Sequence, residues 1–398
     1  MVIAEDLWTH EHVADPYPVY RRLLAEAPVT ERNGSWILSG YEHVLTALTD
    51  RRMSSVRGTL QYLPEEERAK VAALIETNRD MILFLDAPDH TRLRGLVAQA
   101  FSAKMIESMR LRIHALVDTL LDEVDGQSSW DVMTALAQPL PGMVITMMLG
   151  TPLEDWTKVR AWSEDYADWL GSVVENEQQR MRANQAVIEW NAYIREQAAQ
   201  RRQEPRDDLL TALVMAEDDG DRLTEQEVLS TCLLLLFAGN ETTTNLIGNG
   251  LLTLLRQPDA WRQLRDDPSL IRTATEEFLR YESPVQFTGR FTTAEMEFGS
   301  HTVPAWSHIT TLIGAANRDP RHFAEPDALD LARRPNRHIS FAHGAHFCLG
   351  APLARAEGQL AINAVVQRFP TLALESPERA DWIYNPVFRA QKTLRVVT

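Results

Sequence analysis

Two cysteines occur in the 398 residues, Cys232 and Cys348, and only the second has neighbours that suggest chemistry. Cys348 stands in Phe341-Ala-His-Gly344-Ala-His346-Phe-Cys348-Leu-Gly350, and a helical segment starts at Pro352. Glycines let the backbone turn tightly and approach a flat ligand, and the free N–H groups of a helix start stabilise a thiolate. This run therefore predicts an anion-holding loop. Cys232 lies in the apolar stretch 232–238 and reads as a small packing residue.

Two further runs carry candidate chemistry. Ala238-Gly239-Asn240-Glu241-Thr242-Thr243 interrupts the most apolar stretch of the chain. A glycine there costs helix stability, and an acid beside a hydroxyl can relay protons through water. Taken alone, such a run also fits a helix N-cap or an exposed threonine cluster. In Glu277-Phe-Leu-Arg280 a spacing of three puts both charges on one helix face. An isolated pair of that kind is a solvated contact worth well under ~1 kcal/mol.

The elements that must position these residues are mostly helical. Helix patterns cover 15–27, 89–101, 103–124, 139–149, 152–171, 176–202, 206–216 and 268–281. Ser39 with Glu42, and Thr224 with Glu227, have capping-box spacing, and Pro88 suits a first helical turn. The segment 224–256 has no proline and at 1.5 Å per residue would run roughly 50 Å. Its first half is apolar all round, which predicts burial on every side. Strand patterns are short: 35–38, 285–290, 294–298, 308–312, 369–374 and 388–397. The proline-rich stretch 319–336 predicts a long surface loop. The fold class expected is mainly α with small β-sheets, in one domain spanning 1–398.

With F-x-x-G-x-H-x-C-x-G ending at Gly350, E-x-x-R at Glu277 and A-G-x-[DE]-T at Ala238, the chain resembles the cytochrome P450 superfamily in its soluble bacterial form. The resemblance runs over essentially the whole chain. It implies a long central helix over a buried haem b (iron protoporphyrin IX), with Cys348 as the thiolate ligand of the iron. Glu241 and Thr242 take the proton-relay positions. Gly239, Phe341 and Gly344 match haem-contacting positions, and His90, Arg94, Arg290 and His346 match propionate contacts. Arg92 competes with Arg94 if that helix is rotated. Glu277, Arg280 and Arg333 are implied to form a buried structural network, in which losing one partner would leave an uncompensated charge. The substrate wall would use Leu235, Leu236, Ala238, Val285, Phe287, Val387 and the stretch 81–85, although apolar residues also fit a plain core. The sequence departs from the family pattern at Ala342 and Ala390, where glycine is frequent.

Composition bounds the partners. There are 40 basic and 56 acidic residues, a net charge of −16, which argues against a nucleic-acid-binding face. The first residues lack a secretory signal, and the longest apolar run is far below the roughly 20 residues of a membrane span. A cytoplasmic, monomeric protein without a membrane anchor is expected. No G-x-G-x-x-G follows a strand pattern, so electrons must come from outside. The resemblance implies a ferredoxin or flavodoxin with its NAD(P)H reductase, docking on a basic patch drawn from Arg92, Lys104, Arg110, Arg112 and Arg355. The expected reaction is monooxygenation: one oxygen atom enters a C–H or C=C bond of an apolar small molecule of secondary metabolism. The alternatives are a non-inserting oxidase, a peroxygenase, or a haem sensor without turnover.

Overall fold

Helix-forming runs and their caps account for most of the chain in the structure, a computed structural model that describes residues 7–32, 34–56, 60, 63–101, 103–172, 176–218, 220–377 and 380–398. The principal helices are α1 Tyr17–Glu26, α2 Tyr41–Thr49, α3 Asp89–Ala100, α4 Ala103–Asp122, α5 Pro139–Leu149, α6 Trp156–Leu170, α7 Glu177–Gln203, α8 Leu209–Met215, α9 Glu225–Leu255, α10 Ile271–Tyr281 and α11 Ala351–Arg368. The principal strands are β1 Val29–Arg32, β2 Ser35–Leu38, β3 Met53–Ser54, β4 Ser129–Asp131, β5 Phe287–Thr292, β6 His308–Leu312, β7 Ala373–Leu374 and β8 Arg395–Val397.

The two capping boxes read from sequence have different outcomes. At α9 the Glu227 N–H donates to Thr224 Oγ1 (3.2 Å) and the Thr224 N–H donates to Glu227 Oε2 (2.8 Å). At α2 the N-cap is Gly40, with no side-chain cap. Ser39 Oγ instead donates to the Pro28 carbonyl (3.4 Å), and the Tyr41 N–H is taken by Asp319 Oδ2 at 2.9 Å. A carboxylate from a distant segment satisfies the donor that the local serine leaves free.

The described residues form two compact units. The first contains the chain up to Ser54, His114–Gln138 and Thr242–Thr398. Its five-stranded sheet has the order β1-β2-β6-β5-β3. β6 pairs parallel with β2, His308 opposite Ser35, and antiparallel with β5, Ile309 opposite Arg290. Leu38, Val44, Phe298, Ile309 and Ile313 are buried together beside this sheet. A smaller sheet has the order β7-β8-β4. The strand predicted at 369–374 shrinks to β7 because Phe369 closes α11 and its carbonyl accepts the Leu372 N–H in a turn at 3.0 Å. The stretch 319–336 contains no helix or strand, as its prolines require.

The second unit contains Ser55–Ile113 and Pro139–Glu241. Trp190 of α7 and Tyr166 of α6 are fully enclosed in it. Arg201, at the end of α7, is also fully buried, and its Nε is 2.7 Å from Asp208 Oδ2. In α9 the residues Val228, Leu229, Cys232, Leu233, Leu236 and Phe237 are all buried. With Ser230, Thr231 and Leu235, which are also buried, they point in every direction around the axis, which is why the sequence shows no amphipathic stripe. α9 is continuous, with residues through Glu241 assigned to the second unit and those from Thr242 to the first.

Candidate active site

In the cysteine loop, backbone geometry dictates residue choice. The Cys348 N–H donates to the Phe341 carbonyl (2.9 Å) and the Phe347 N–H to the Gly344 carbonyl (3.1 Å). Gly344 has φ +70°, and a Cβ there would lie 2.8 Å from the Leu48 carbonyl oxygen. Only glycine meets both conditions. Ala342 also has a positive φ, +55°, which explains physically why glycine is the usual residue at that place. Cys348 is exposed and immediately precedes α11, whereas Cys232 is buried. Burial pushes the Cys232 thiol up to about 12, so it stays a neutral packing group while Cys348 is the accessible thiol at a helix start.

A second ion cluster, which sequence reading did not single out, supports this loop. Arg355 of α11 grips Glu276 through two hydrogen bonds, 2.7 and 2.8 Å, and His338 Nε2 is 3.0 Å from the same carboxylate. Burial would raise the Glu276 pKa, but the bonds from Arg355 and His338 draw it down to about 2. The Arg355 guanidinium lies 4.5 Å from the centre of the Phe341 ring, at the start of the cysteine loop.

Beside it, Glu277 is fully buried and fully used. Arg280 donates to both of its oxygens (2.8 and 2.7 Å), Arg333 Nε reaches both at 3.1 Å, Asn336 Nδ2 donates at 3.1 Å and the Asp330 N–H at 3.0 Å. Arg280 spends its other donors on the carbonyls of Asn317, Pro326 and Ala328 at 2.8–3.1 Å. The network therefore ties the 319–336 loop to α10. Asn336 and the Asp330 amide are partners that spacing alone could not reveal.

The polar run of α9 is organised in the opposite way. Among buried neighbours, Ala238, Gly239, Glu241 and Thr242 are only half-buried. A Cβ built on Gly239 would meet nothing within 4 Å. A flat group could approach the helix at that glycine, and an exposed thiol at a helix start suits a soft metal ion. The residues present thus fit a thiolate-ligated haem. Asn240 is buried, and its Nδ2 donates to Ser163 Oγ of α6 at 3.2 Å and lies 3.4 Å from Glu241 Oε1. Burial first, and the Glu164 carboxylate second, push the Glu241 carboxyl up to about 7, against opposing pulls from Arg160 and Asn240.

The remaining predicted residues fall as follows. On α3, His90 is buried and Arg94 half-buried. Arg92, the competing candidate, is engaged by Glu227 and by Asp221 at 3.3 Å. Arg290 is buried on β5 and donates to the Gly289 carbonyl at 2.8 Å. His346 is half-buried in the turn after Gly344. Val285 and Val387 are brought together, since Val285 bridges to Phe388 and the Gln286 N–H donates to the Val387 carbonyl at 2.8 Å. Leu235 and Leu236 are buried on α9. The Phe287 ring lies 4.7 Å from Trp8, and the residue packs, partly buried, on the cluster of Val19, Tyr20, Leu23 and Leu312. Of the expected basic patch, Arg92, Arg110 and Arg355 each face an acid. The side chain of Lys104 lies outside the described residues, and Arg112 is exposed.

Comparison with known proteins agrees with this geometry. The sequence model of the family described as Cytochrome P450 matches residues 56–381. Cytochrome P450 107B1 of Saccharopolyspora erythraea is 41% identical over 367 residues, covering 91% of this chain and 89% of that protein. Polyketide biosynthesis cytochrome P450 PksS of Bacillus subtilis is 37% identical, covering 98% of this chain and 99% of that protein. The crystal structure of P450BioI with a hexadec-9Z-enoic acid-ligated acyl carrier protein superposes with a TM-score of 0.91 at 36% identity, covering 97% and 98% of the two chains. The chain belongs to the cytochrome P450 family. It is a P450 monooxygenase, with haem b as its cofactor. Among the described residues, no helix is long and apolar enough to cross a membrane.

Proposed function

We propose that this enzyme inserts one atom of dioxygen into an apolar small molecule of secondary metabolism, with electrons from a separate ferredoxin or flavodoxin and its NAD(P)H reductase. The overall balance is substrate, dioxygen, two electrons and two protons giving oxygenated substrate and water. Haem, when bound, supplies dioxygen activation, and thiolate ligation favours O–O cleavage. Cys348 is the proposed iron ligand, with Gly239, Phe341 and Gly344 beside the macrocycle and His90, Arg94, Arg290 and His346 on the propionates. Glu241 holds a proton that it can release near neutral pH, and Thr242 orients the hydrogen bonds that carry it.

The observation that carries this reading is the opening on an otherwise buried helix, where Gly239 leaves room for a flat group and the half-buried Glu241, its carboxyl pushed up to about 7 by burial and Glu164, stands beside Thr242. A general acid works best when its pKa lies near the working pH. An apolar substrate is supported by Leu235, Ala238, Val285 and Val387, and by relatives whose names concern polyketide biosynthesis and a fatty acyl carrier protein.

The test is a substrate-induced spectral titration of the haem-loaded enzyme with hexadec-9Z-enoic acid, free and as its carrier-protein thioester. Displacement of the haem absorbance by either form supports an apolar acyl ligand, and the difference shows whether the carrier is needed. No displacement by either form removes that substrate class. The reduced, carbon monoxide-bound spectrum checks Cys348: the thiolate band is expected well to the red of a histidine complex, and a histidine-type band from fresh protein would refute the ligand.

A further inference from the structure

One cluster outside the sequence motifs faces Glu241. α6 carries Arg160, Ser163 and Glu164, spaced so that all three share one helix face. Asn240 of α9 meets that face through its 3.2 Å bond to Ser163 Oγ and also lies 3.4 Å from Glu241 Oε1. Ser163 and Asn240 are buried. The Glu164 side chain is 47% exposed, and Arg160 Nη1 lies 3.1 Å from its Oε1. This face of α6 therefore runs from solvent, at Glu164, to the buried contact beside Glu241. The next acids along α6, Asp165 and Asp168, are 3.4 and 2.7 Å from Arg182 of α7.

An arginine and a glutamate four residues apart ordinarily make a minor helix contact. Here the arginine is felt by two carboxyls. Glu164 raises the proton affinity of Glu241 and Arg160 lowers it. Glu164 is itself raised by burial, against Arg160 and together with Asp165. The charged groups that act on Glu241 are thus Glu164 and Arg160, and those that act on Glu164 are Arg160 and Asp165.

We propose that Glu164 is the outer member of a carboxyl couple that takes protons from solvent and passes them to Glu241, while Arg160 stabilises whichever carboxyl is ionised. The proposal rests on reading Glu241 as the inner proton donor. In each transfer Glu164 loses a proton and Glu241 gains it. Glu164 then recovers one from solvent, and nothing is oxidised or reduced. Two such cycles supply the two protons of one turnover. Glu164 acts through Glu241 and is a positioning residue for proton delivery.

The experiment is an infrared pH titration of protonated carboxyl groups in the haem-loaded enzyme, with Glu241→Gln identifying the Glu241 band. Glu164→Gln should lower the Glu241 midpoint by about one pH unit, because a neighbouring negative charge is removed. Arg160→Met should raise it. In NADH-driven turnover with hexadec-9Z-enoic acid, Glu164→Gln should also enlarge the solvent hydrogen isotope effect. An unchanged midpoint and isotope effect in Glu164→Gln would overturn the couple while leaving Glu241 as a donor. Unchanged coupling of NADH to product in Glu241→Gln would overturn both readings.

Discussion

Glu277 and Glu241 are both carboxyls set among buried residues, yet the structure treats them in opposite ways. Glu277 accepts hydrogen bonds from two arginines, an asparagine and a backbone amide, so its charge is fully compensated. Glu241 has, among the described residues, one long side-chain hydrogen bond, from Asn240, with an acid nearby that raises its proton affinity. A saturated buried charge fixes a loop. An under-compensated one costs stability when ionised but can give a proton away near neutral pH. With Glu241 as the proposed proton donor, the contrast separates the scaffold of this enzyme from its chemistry.

The largest effect is expected from breaking the saturated side. Arg280→Ala should cost about 3–5 kcal/mol by stranding the buried Glu277 charge, read as a large fall in thermal midpoint and loss of haem retention. A fall no greater than that of a surface arginine variant would contradict the structural role. Gly344→Ala should follow, destabilising by about 1–3 kcal/mol because the left-handed backbone and the Leu48 carbonyl both oppose a Cβ. Thermal melting of the haem-loaded protein measures it.

On the open side, pH is the lever. The folded-state pKa of Glu241 is raised to about 7, so the folded protein binds more protons than the unfolded chain below that value. Its contribution to stability is therefore favourable at low pH and is lost as pH rises from the ordinary carboxylate range towards 7. Glu241→Gln should flatten that slope in a pH series of denaturant titrations, and an unchanged slope would remove Glu241 as its source. The smallest effect is at Ala342, whose positive φ costs about 1 kcal/mol. Ala342→Gly should raise the thermal midpoint slightly, provided the glycine's extra freedom in the unfolded chain does not cancel the gain.

Much of this architecture was legible in the residue order, because periodicity and motifs are local. The bounds of α9 and β6, and the capping box at Thr224, lie within a residue or two of the sequence reading. What escaped it depends on contacts between distant segments. Asp319 replaces Ser39 as the cap of α2, and Asn336 completes the Glu277 shell. Phe287 meets Trp8 across nearly the whole length of the chain. Arg160 and Glu164 have the spacing of an ordinary helix pair, and only the packing of Ser163 against Asn240 gives that helix face a buried neighbour. Asn240, the variable position of its motif, makes that contact, and nothing in its spacing indicates it.

The most direct test compares Glu241→Gln with the native enzyme for the fraction of NADH that ends as peroxide during ferredoxin-driven turnover, in proteins shown to have the same thermal midpoint and the same reduced carbon monoxide spectrum. The account predicts that most of the NADH is diverted to peroxide in the variant, with product formation falling by about 10²-fold or more. Product and peroxide yields equal to the native enzyme's would contradict the assignment of proton delivery to Glu241.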